Sequence, residues 1–397
     1  MRIRIPLASL LLAALVACTP SATVSTRAAA PPLGADSVRT QRYADGVLHR
    51  RLVVLREPWI IQVVEVDLRR PELSVRAEHA FGRLEGRERT SAIARRVAGD
   101  SLDVVVAVNA DFFSLRTGEA TNNQVVEGRL VTGIARAGYG ARPVRSHFAV
   151  DACGRPIIER FTLQGAVHLR DDSLPLAGIN LPPVNHALVL RRWPAPDTLP
   201  ADSVGDVRAL ALLAVGNDTV KYVPSGAPVE AKAARLPSGG ALLVARGSAV
   251  ESLERIARSR DTVRVTSSLA PAHGALRTVV GGWARLVADG VVVGDTATEG
   301  AAKSFLESRH PRTAVGYSRD GNTLYLVVVD GRQQRSAGMT IAELARTMRA
   351  LGAWNAVNLD GGGSTTLVVR DSILNSPSDA GGERTVGNAL LVVRPRP

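Results

Sequence analysis

Runs of apolar, valine-rich residues recur along most of the chain and are separated by short polar breaks. Gly, Pro, Asp or Asn lies close to most of these runs, as is typical of β-strands. The clearest runs span residues 52–55, 60–68, 104–108, 210–215 and 242–245. A further stretch at about 155–275 is β-like and dotted with prolines, but it carries no motif that can be named. The pattern predicts a fold rich in strands.

Two segments show helical signs instead. Residues 91–97 predict a short helix. The signs at residues 340–351 are clearer, because Thr340 and Glu343 have the spacing of a capping box and the apolar positions share one face. Gly352 then provides a residue suited to ending the helix.

Each predicted helix is followed by a strand, and the two strands end in similar sequences. The first strand ends in Ala-Val-Asn-Ala-Asp at residues 107–111, and the second in Ala-Val-Asn-Leu-Asp at residues 356–360. Two valine-rich strands can resemble each other by chance. The alternative is that both strand ends deliver polar side chains to one cleft, as strand termini in α/β sheets often do.

The N-terminus has the composition of an export signal. Arg2 and Arg4 precede an apolar run at residues 7–17, which is shorter than the about 20 residues that span a bilayer. The run ends Leu-Val-Ala-Cys at Cys18, a pattern that resembles the lipobox of bacterial lipoproteins. A plain signal peptide with an incidental Cys18 is the alternative. We expect lipidation at Cys18 and a location in the cell envelope, on the periplasmic side or at the cell surface, anchored to the membrane by the lipid.

Charge and cysteine content narrow the classes of protein further. The net charge is +12, but the arginines are spread along the chain and aromatic residues make up only 4%, so we expect no nucleic-acid partner. With Cys18 lipidated, Cys153 remains alone. A lone thiol forms no internal disulfide, so the apolar core must hold the fold.

Several common catalytic motifs are absent from the sequence. There is no His-Glu-x-x-His, no paired Cys-x-x-Cys, no Gly-x-Ser-x-Gly and no Gly-x-x-x-x-Gly-Lys. The sequence requires no cofactor, although a divalent cation is compatible with its carboxylates.

The polar residues best suited to catalysis or anion binding are concentrated in residues 311–364. Asp330 and Asp360 each follow a predicted strand and precede glycine, where a carboxylate can face a cleft. Three glycines at 361–363 leave the backbone free to approach a ligand, and their N–H groups with the Ser364 hydroxyl suit a phosphate. Two arginines could grip its oxygens bidentately: Arg312 and Arg332.

This block resembles the phosphodiester glycosidase family, which includes the lysosomal "uncovering enzyme" that acts on N-acetylglucosamine-1-phosphodiesters. The resemblance rests on residues 311–316, 329–332, 338–340 and 355–364. Weaker similarity is found at residues 109–113, 281–290 and 375–388. Family members often have glycine after the early asparagine, whereas this chain has Ala110 and Asp111. That difference predicts an altered sugar-side pocket or a third carboxylate at the site.

The resemblance implies a hydrolase that cleaves the glycosidic C–O bond of a sugar-1-phosphodiester, releasing free sugar and a phosphomonoester. Its expected substrate is a phosphorylated glycan or another sugar phosphodiester. We predict Asp360 and Asp330 as the catalytic carboxylates. The predicted substrate-binding residues are Asn109, Asp111, Arg312, Arg332, Asn358, Gly361, Gly362, Gly363, Ser364, Arg384 and Asn388.

The predicted fold class is α+β, with a mixed β-sheet core, few helices and an inserted β-rich region. The predicted organisation is a signal peptide, a flexible tether, and a phosphodiester glycosidase-like domain that contains a variable insertion. The signal peptide covers residues 1–17, the tether residues 18–42 and the domain residues 43–397. The insertion within the domain covers residues 155–275.

Two other functions remain open from the sequence. The first is a glycan-binding lipoprotein without catalytic activity. The second is a metal-dependent phosphodiesterase in which Asp111, Asp330 and Asp360 hold a cation.

Overall fold

The computed structural model describes residues 32–135, 144–199, 205–216, 220–293 and 299–396. The predicted signal peptide and the lipidation site Cys18 lie outside these residues. Among the residues described, no helix is long and apolar enough to cross a membrane.

The elements of the first half of the chain are mainly strands. They are β1 (Ser37–Ala44), β2 (Val47–Val54), β3 (Trp59–Asp67), β4 (Ser74–His79), β5 (Glu88–Arg89), α1 (Thr90–Val97), β6 (Leu102–Asn109), β7 (Gln124–Val126), β8 (Arg129–Ile134), β9 (His147–Asp151), β10 (Pro156–Glu159), β11 (Thr162–Leu169), β12 (Asp172–Ile179) and β13 (Leu188–Arg192).

The second half adds three more helices. Its elements are β14 (Arg208–Ala214), β15 (Lys221–Glu230), β16 (Ala241–Ala245), α2 (Ala249–Ser259), β17 (Val263–Ala270), β18 (Leu276–Gly281), β19 (Arg285–Ala288), β20 (Val291–Val292), α3 (Lys303–Glu307), β21 (Arg312–Tyr317), β22 (Thr323–Val329), α4 (Ile341–Ala350), β23 (Asn355–Asn358), β24 (Leu367–Val369), β25 (Ser372–Ile373), β26 (Thr385–Val386) and β27 (Asn388–Pro395).

Local sequence signals predicted several of these elements correctly. The five apolar runs lie largely in β2, β3, β6, β14 and β16, and both predicted helices form, as α1 and α4. The Thr340 side chain accepts the N–H of Glu343, and the Glu343 side chain accepts the N–H of Thr340. One boundary differs from the prediction: residues 37–42, assigned to the tether, lie in β1, which pairs with β2.

Two antiparallel sheets support the candidate site. The first has the order β1-β2-β3-β22-β21-β23-β19-β20 and the second β25-β24-β6-β27-β4. They face each other across one apolar core, to which β22 contributes Leu324, Leu326 and Val328 while β6 contributes Val106 and Val108. The alternate residues of β22 face a second core beneath α4. Burial on both faces explains why the β22 run is apolar throughout.

The third large sheet contains most of the predicted insertion. Its twelve strands follow the order β10-β9-β18-β7-β8-β12-β11-β17-β15-β14-β16-β13. An additional parallel pairing between β12 and β13 joins the seven strands β11 to β17 into a closed ring. The ring has its own apolar core, to which α2 contributes Leu253 and Ile256.

The predicted fold class needs correction in one respect. A β-rich chain with few helices is confirmed, but the α+β label fits only loosely, because four α-helices accompany 27 strands in the described part of the chain. The sheets that carry the site are also antiparallel rather than mixed. Hairpins such as β1–β2 and β21–β22 join neighbouring strands directly, so these pairs need no helical crossover.

Candidate active site

The ends of β6 and β23 meet, although the two strands belong to different sheets. The N–H of Asp360 donates to the carbonyl of Ala110 at 2.8 Å. The Asn109 amide donates to the carbonyl of Asp360 at 2.6 Å. The two Ala-Val-Asn-x-Asp segments therefore lie side by side, as expected if both strand ends serve one site.

Both asparagines of the repeat act as buried cross-links. Asn109 accepts hydrogen bonds from the Thr313 hydroxyl at 2.8 Å and from the N–H of Thr366 at 3.1 Å. The Asn358 amide donates to the carbonyl of Trp283 and, at 2.7 Å, to that of Leu359. Their side chains thus tie neighbouring segments together and fix the backbone that carries Asp360.

Asp360 is the carboxylate at this junction that remains partly exposed. Burial raises its pKa to about 6, while the Ser364 hydroxyl, the Gly361 N–H and the charge of Arg384 oppose the increase. A carboxyl group with this pKa is ionised at neutral pH and can still exchange a proton near it.

The glycines after Asp360 are required by close packing. A Cβ atom at Gly361 would lie 2.7 Å from the carbonyl oxygen of Pro311, and one at Gly363 would collide with the Arg384 guanidinium. Gly362 has a φ of +61°, in the left-handed region that favours glycine. Residues Gly362–Ser364 form a short 3₁₀ turn.

Basic side chains surround this glycine turn. Arg332 is exposed, and its Nη2 lies 3.3 Å from Nδ1 of His310. A Cβ atom at Gly362 would lie 3.1 Å from the same Nη2. Arg384 is half-buried and forms a bidentate salt bridge with Asp379, in which Nε and Nη2 donate hydrogen bonds of 2.7 and 3.0 Å. Two of the three predicted arginines, Arg332 and Arg384, therefore lie beside the turn, where an anionic group can be bound.

Asp111 follows Ala110, whose carbonyl accepts the Asp360 N–H, and is only 1% exposed. Its Oδ1 accepts the Asn122 amide at 2.6 Å, and its Oδ2 accepts the Gln124 amide and, at 3.1 Å, the N–H of Gly281. Burial raises the pKa of Asp111 to about 7, and the charge of Asp360 adds to the increase. Asn122, Gly281 and Arg145 oppose it.

Asn388 completes the surroundings of Asp111. It accepts the N–H of Asp111 at 2.9 Å and donates to the side-chain oxygen of Gln124, also at 2.9 Å. The sequence pointed to Asn388 and to the segment 281–290, which contains Gly281. It gave no signal for Asn122 and Gln124, because neither belongs to a motif and their role arises only when β7 reaches β18.

Asp330 has a different environment from Asp360. Its Oδ1 accepts the N–H of Ser376 at 2.8 Å, and its backbone carbonyl accepts the Ser336 hydroxyl at 2.7 Å. Burial raises its pKa to about 6, opposed by Ser376, Asn375 and Arg51. Asp330 thus fastens the segment that leads to Asp379 and Arg384. The charge of Asp360 instead acts on Asp111, whose pKa it raises.

Arg312 is buried away from solvent, at 1% exposure. Its Nε donates to the carbonyl of Met339 at 2.8 Å, and its Nη2 to those of Phe305 and Ser308, each at 2.9 Å. Burial lowers its pKa to about 10. These contacts connect α3 to the segment before α4, and they do not favour the predicted grip on phosphate.

The described residues contain no group of three His, Cys, Asp or Glu side chains arranged to hold a metal ion. In particular, Asp111, Asp330 and Asp360 do not form such a group there. The arrangement instead offers two neighbouring carboxylates, Asp111 and Asp360, and a glycine turn with two arginines beside it.

Comparison with known proteins places these residues in a family context. Residues 210–393 match the family model described as phosphodiester glycosidase. The N-acetylglucosamine-1-phosphodiester alpha-N-acetylglucosaminidase of Mus musculus is 39% identical over 85 residues, which are 21% of this chain and 16% of that protein. The SPbeta prophage-derived uncharacterized protein YomE of Bacillus subtilis (strain 168) is 41% identical over 90 residues, 23% of this chain and 14% of that protein.

A solved structure extends the likeness of the fold to most of the chain. The structure described as a hypothetical protein from Synechocystis has a TM-score of 0.74 and 23% sequence identity, and the match covers 91% of this chain and 64% of that one. By contrast, the segments aligned with the two curated relatives above are short, at 14% and 16% of their length. The family match begins at residue 210, within the segment predicted as an insertion. The resemblance to the phosphodiester glycosidase family, first indicated by residues 311–364, is thereby confirmed over residues 210–393.

Proposed function

We propose that this protein hydrolyses a sugar-1-phosphodiester at the bond between the anomeric carbon and the phosphate oxygen. The products are free sugar and a phosphomonoester. The observation that supports this proposal most directly is the position of Asp360: a partly exposed carboxylate next to a second carboxylate and a glycine turn flanked by arginines. N-acetylglucosamine is the first sugar to test, because a relative's name specifies it.

The residue types suit the chemistry of glycosidic cleavage. When the bond to the phosphate breaks, positive charge develops on the sugar ring, and a neighbouring carboxylate stabilises it as nucleophile or as base for water. We assign that role to Asp360, and ionised Asp111 beside it would add negative charge to the same region. Water supplies the oxygen at the anomeric carbon, and one of its protons passes to the carboxylate and then to solvent.

The leaving group is a phosphate, which departs with the electron pair of the broken bond. Because a phosphomonoester is a weak base, neutralising its charge matters more than protonating it. Arg332 and Arg384 lie beside the glycine turn and can do so with charge-assisted hydrogen bonds. Asp379 holds the Arg384 guanidinium in a fixed orientation for this contact.

The decisive experiment is a substrate panel with product identification. The purified protein is incubated with several sugar-1-phosphodiesters, including one of N-acetylglucosamine, in water enriched in oxygen-18. Free sugar that carries the label, together with an unlabelled phosphomonoester, supports C–O cleavage. Label in the phosphate, with loss of activity on adding a chelator, would establish the metal-dependent phosphodiesterase instead. Affinity by calorimetry without turnover would establish the non-catalytic glycan binder.

Asp360→Asn tests the assignment within that panel. The amide keeps the size of the side chain but supplies neither a base nor a nucleophile, so we expect turnover to fall by about 10³-fold or more. Asp320→Asn, at an exposed aspartate in a turn, is the matched control and should retain full activity. Full activity of Asp360→Asn would disprove the role given to Asp360.

We also propose export and lipid anchoring through Cys18, on the strength of the basic start, the short apolar run and the Leu-Val-Ala-Cys sequence. Metabolic labelling with a fatty acid, followed by fractionation of the cell envelope, tests this. Label and membrane association should be present in the full chain and lost in Cys18→Ser. Unlabelled full-length protein would contradict the proposal.

A further inference from the structure

An arginine that no motif indicated lies close to Asp111. The guanidinium carbon of Arg145 is 3.7 Å from the centroid of the Trp283 ring. Phe305 stacks on the same indole at 5.1 Å with an interplanar angle of 20°, and the indole N–H donates to the carbonyl of Glu299 at 2.9 Å. The surface against which Arg145 packs is therefore fixed by its own contacts.

Arg145 is connected to Asp111 through two neighbouring side chains. Its Nη1 lies 3.4 Å from the hydroxyl of Thr121, and that hydroxyl lies 3.5 Å from the Asn122 amide nitrogen. The same amide donates to Asp111 at 2.6 Å. Phe112, the residue after Asp111, also approaches Arg145, with 6.0 Å between the guanidinium carbon and the ring centroid.

The charges around Asp111 have opposite signs. Asp360 disfavours its ionised form and Arg145 favours it. Its other partners are neutral donors or acceptors: Asn122, Gln124, Asn388 and the Gly281 N–H. Asp111 is buried, so little water lies next to its carboxylate to screen the charge of the partly exposed Arg145. Arg145 is thus the positive charge that opposes Asp360 at the second carboxylate of the site.

We propose that Arg145 is a positioning residue of the active site, whose guanidinium, held against Trp283, is the counter-charge of the buried Asp111 carboxylate. The catalytic consequence rests on the proposed function. With Arg145 present, Asp111 is negative while positive charge develops on the sugar. Without it, Asp111 binds a proton next to Asp360, and the negative charge is lost from the transition state.

The protonation of Asp111 is measurable without any substrate. The protein is labelled with carbon-13 at the aspartate carboxyl groups and titrated by NMR, and the Asp111 signal is assigned by its absence in Asp111→Asn. In Arg145→Gln we expect the Asp111 midpoint to rise by about one pH unit. In Arg145→Lys, which retains the charge, it should move by less than half as much.

A matched control is available elsewhere in the chain. Arg319 packs over Trp354 at 4.8 Å, the same kind of contact at a different place, so Arg319→Gln should leave the Asp111 midpoint unchanged. A folded Arg145→Gln protein with the wild-type midpoint would overturn the inference, as would equal shifts in the Gln and Lys variants. If Arg145→Gln does not fold, Arg145→Met, which also removes the charge and keeps much of the side chain's length, takes its place.

Kinetics provide the second measurement. The acid limb of kcat/KM should move to higher pH by the same amount as the NMR midpoint in Arg145→Gln, with kcat/KM near neutral pH restored by Arg145→Lys. If the wild-type protein cleaves no sugar phosphodiester, the proposed function fails, but the NMR titration still decides whether Arg145 is the counter-charge. An unshifted midpoint in an active enzyme overturns the inference alone.

Discussion

The three aspartates that the sequence singled out differ in what their carboxylates contact. Asp360 is partly exposed at the glycine turn, Asp111 is enclosed by amides, and Asp330 holds the N–H of Ser376. Burial raises the pKa of each, yet only Asp360 is open to a substrate and adjacent to a second carboxylate. At the residue scale, Asp330 is thus better described as a support for the loop carrying Arg384.

The pH dependence of activity follows from these pKa values. Asp360, with a pKa of about 6, must be ionised to act, and Asp111, with a pKa of about 7, must be ionised to assist. We expect kcat/KM to decline as pH falls below about 7 and to lose at least about tenfold per unit below pH 6. A rate that stays constant down to pH 5 would contradict the assignment.

Substitutions of the two arginines first assigned to phosphate binding, Arg312 and Arg332, should have different effects on stability and on KM. Arg312→Leu leaves the carbonyls of Phe305 and Ser308 without this donor and the carbonyl of Met339 with only the His310 N–H. We therefore expect a loss of about 3 kcal/mol in the free energy of unfolding, measured with urea. Arg332→Gln, at an exposed position, should change stability by less than about 0.5 kcal/mol and instead raise KM. The reverse pattern would restore Arg312 as the ligand.

At the scale of elements, what the sequence predicted depended on the range of the interactions. The cap of α4 was predictable because Thr340 and Glu343 interact across three residues. The contact between β6 and β23 was indicated only because both strand ends carry the motif Ala-Val-Asn-x-Asp. The burial of Arg312 and the enclosure of Asp111 by Asn122 and Gln124 were not predictable, since those neighbours come from distant segments with no pattern of their own.

The helix cap offers a test of local stability. Thr340→Ala removes the hydroxyl that accepts the Glu343 N–H, and we expect unfolding to become easier by about 1 kcal/mol. Ser248→Ala is the control: Ser248 occupies the equivalent position before α2 but its side chain forms no capping hydrogen bond. It should cost less than half as much. Equal losses would show that α4 does not depend on its cap.

For the molecule as a whole, buried titratable groups act in opposite directions on stability. Asp111, Asp330 and Asp360 have raised pKa values, so the folded state holds more protons than the unfolded state above about pH 4, and stability falls as pH rises through their values. His79 and His147 have pKa values lowered to about 4, and each contributes stability that grows as pH rises towards 6.5. The two effects partly cancel.

Replacing one of the buried carboxyl groups should reveal its share of the pH dependence of stability. Asp330→Asn cannot ionise, so relative to the wild type its free energy of unfolding should rise by about 2–3 kcal/mol between pH 4 and pH 7. Asp320→Asn is the control: the Ser318 hydroxyl and Asn322 lower the pKa of Asp320, so any trend should have the opposite sign. A difference for Asp330→Asn that does not vary with pH would contradict the balance described.

The place of β27 in its sheet affects how the protein must be made. This strand lies between β6 and β4, and it also supplies Asn388 to Asp111, although the ribosome makes it after every other described strand. Until it emerges, β6 and β4 each lack a neighbour, and their open edges can pair with other chains. Joining partners so far apart in sequence also slows folding. Formation of the active site therefore depends on keeping the nascent chain from aggregating until β27 has emerged.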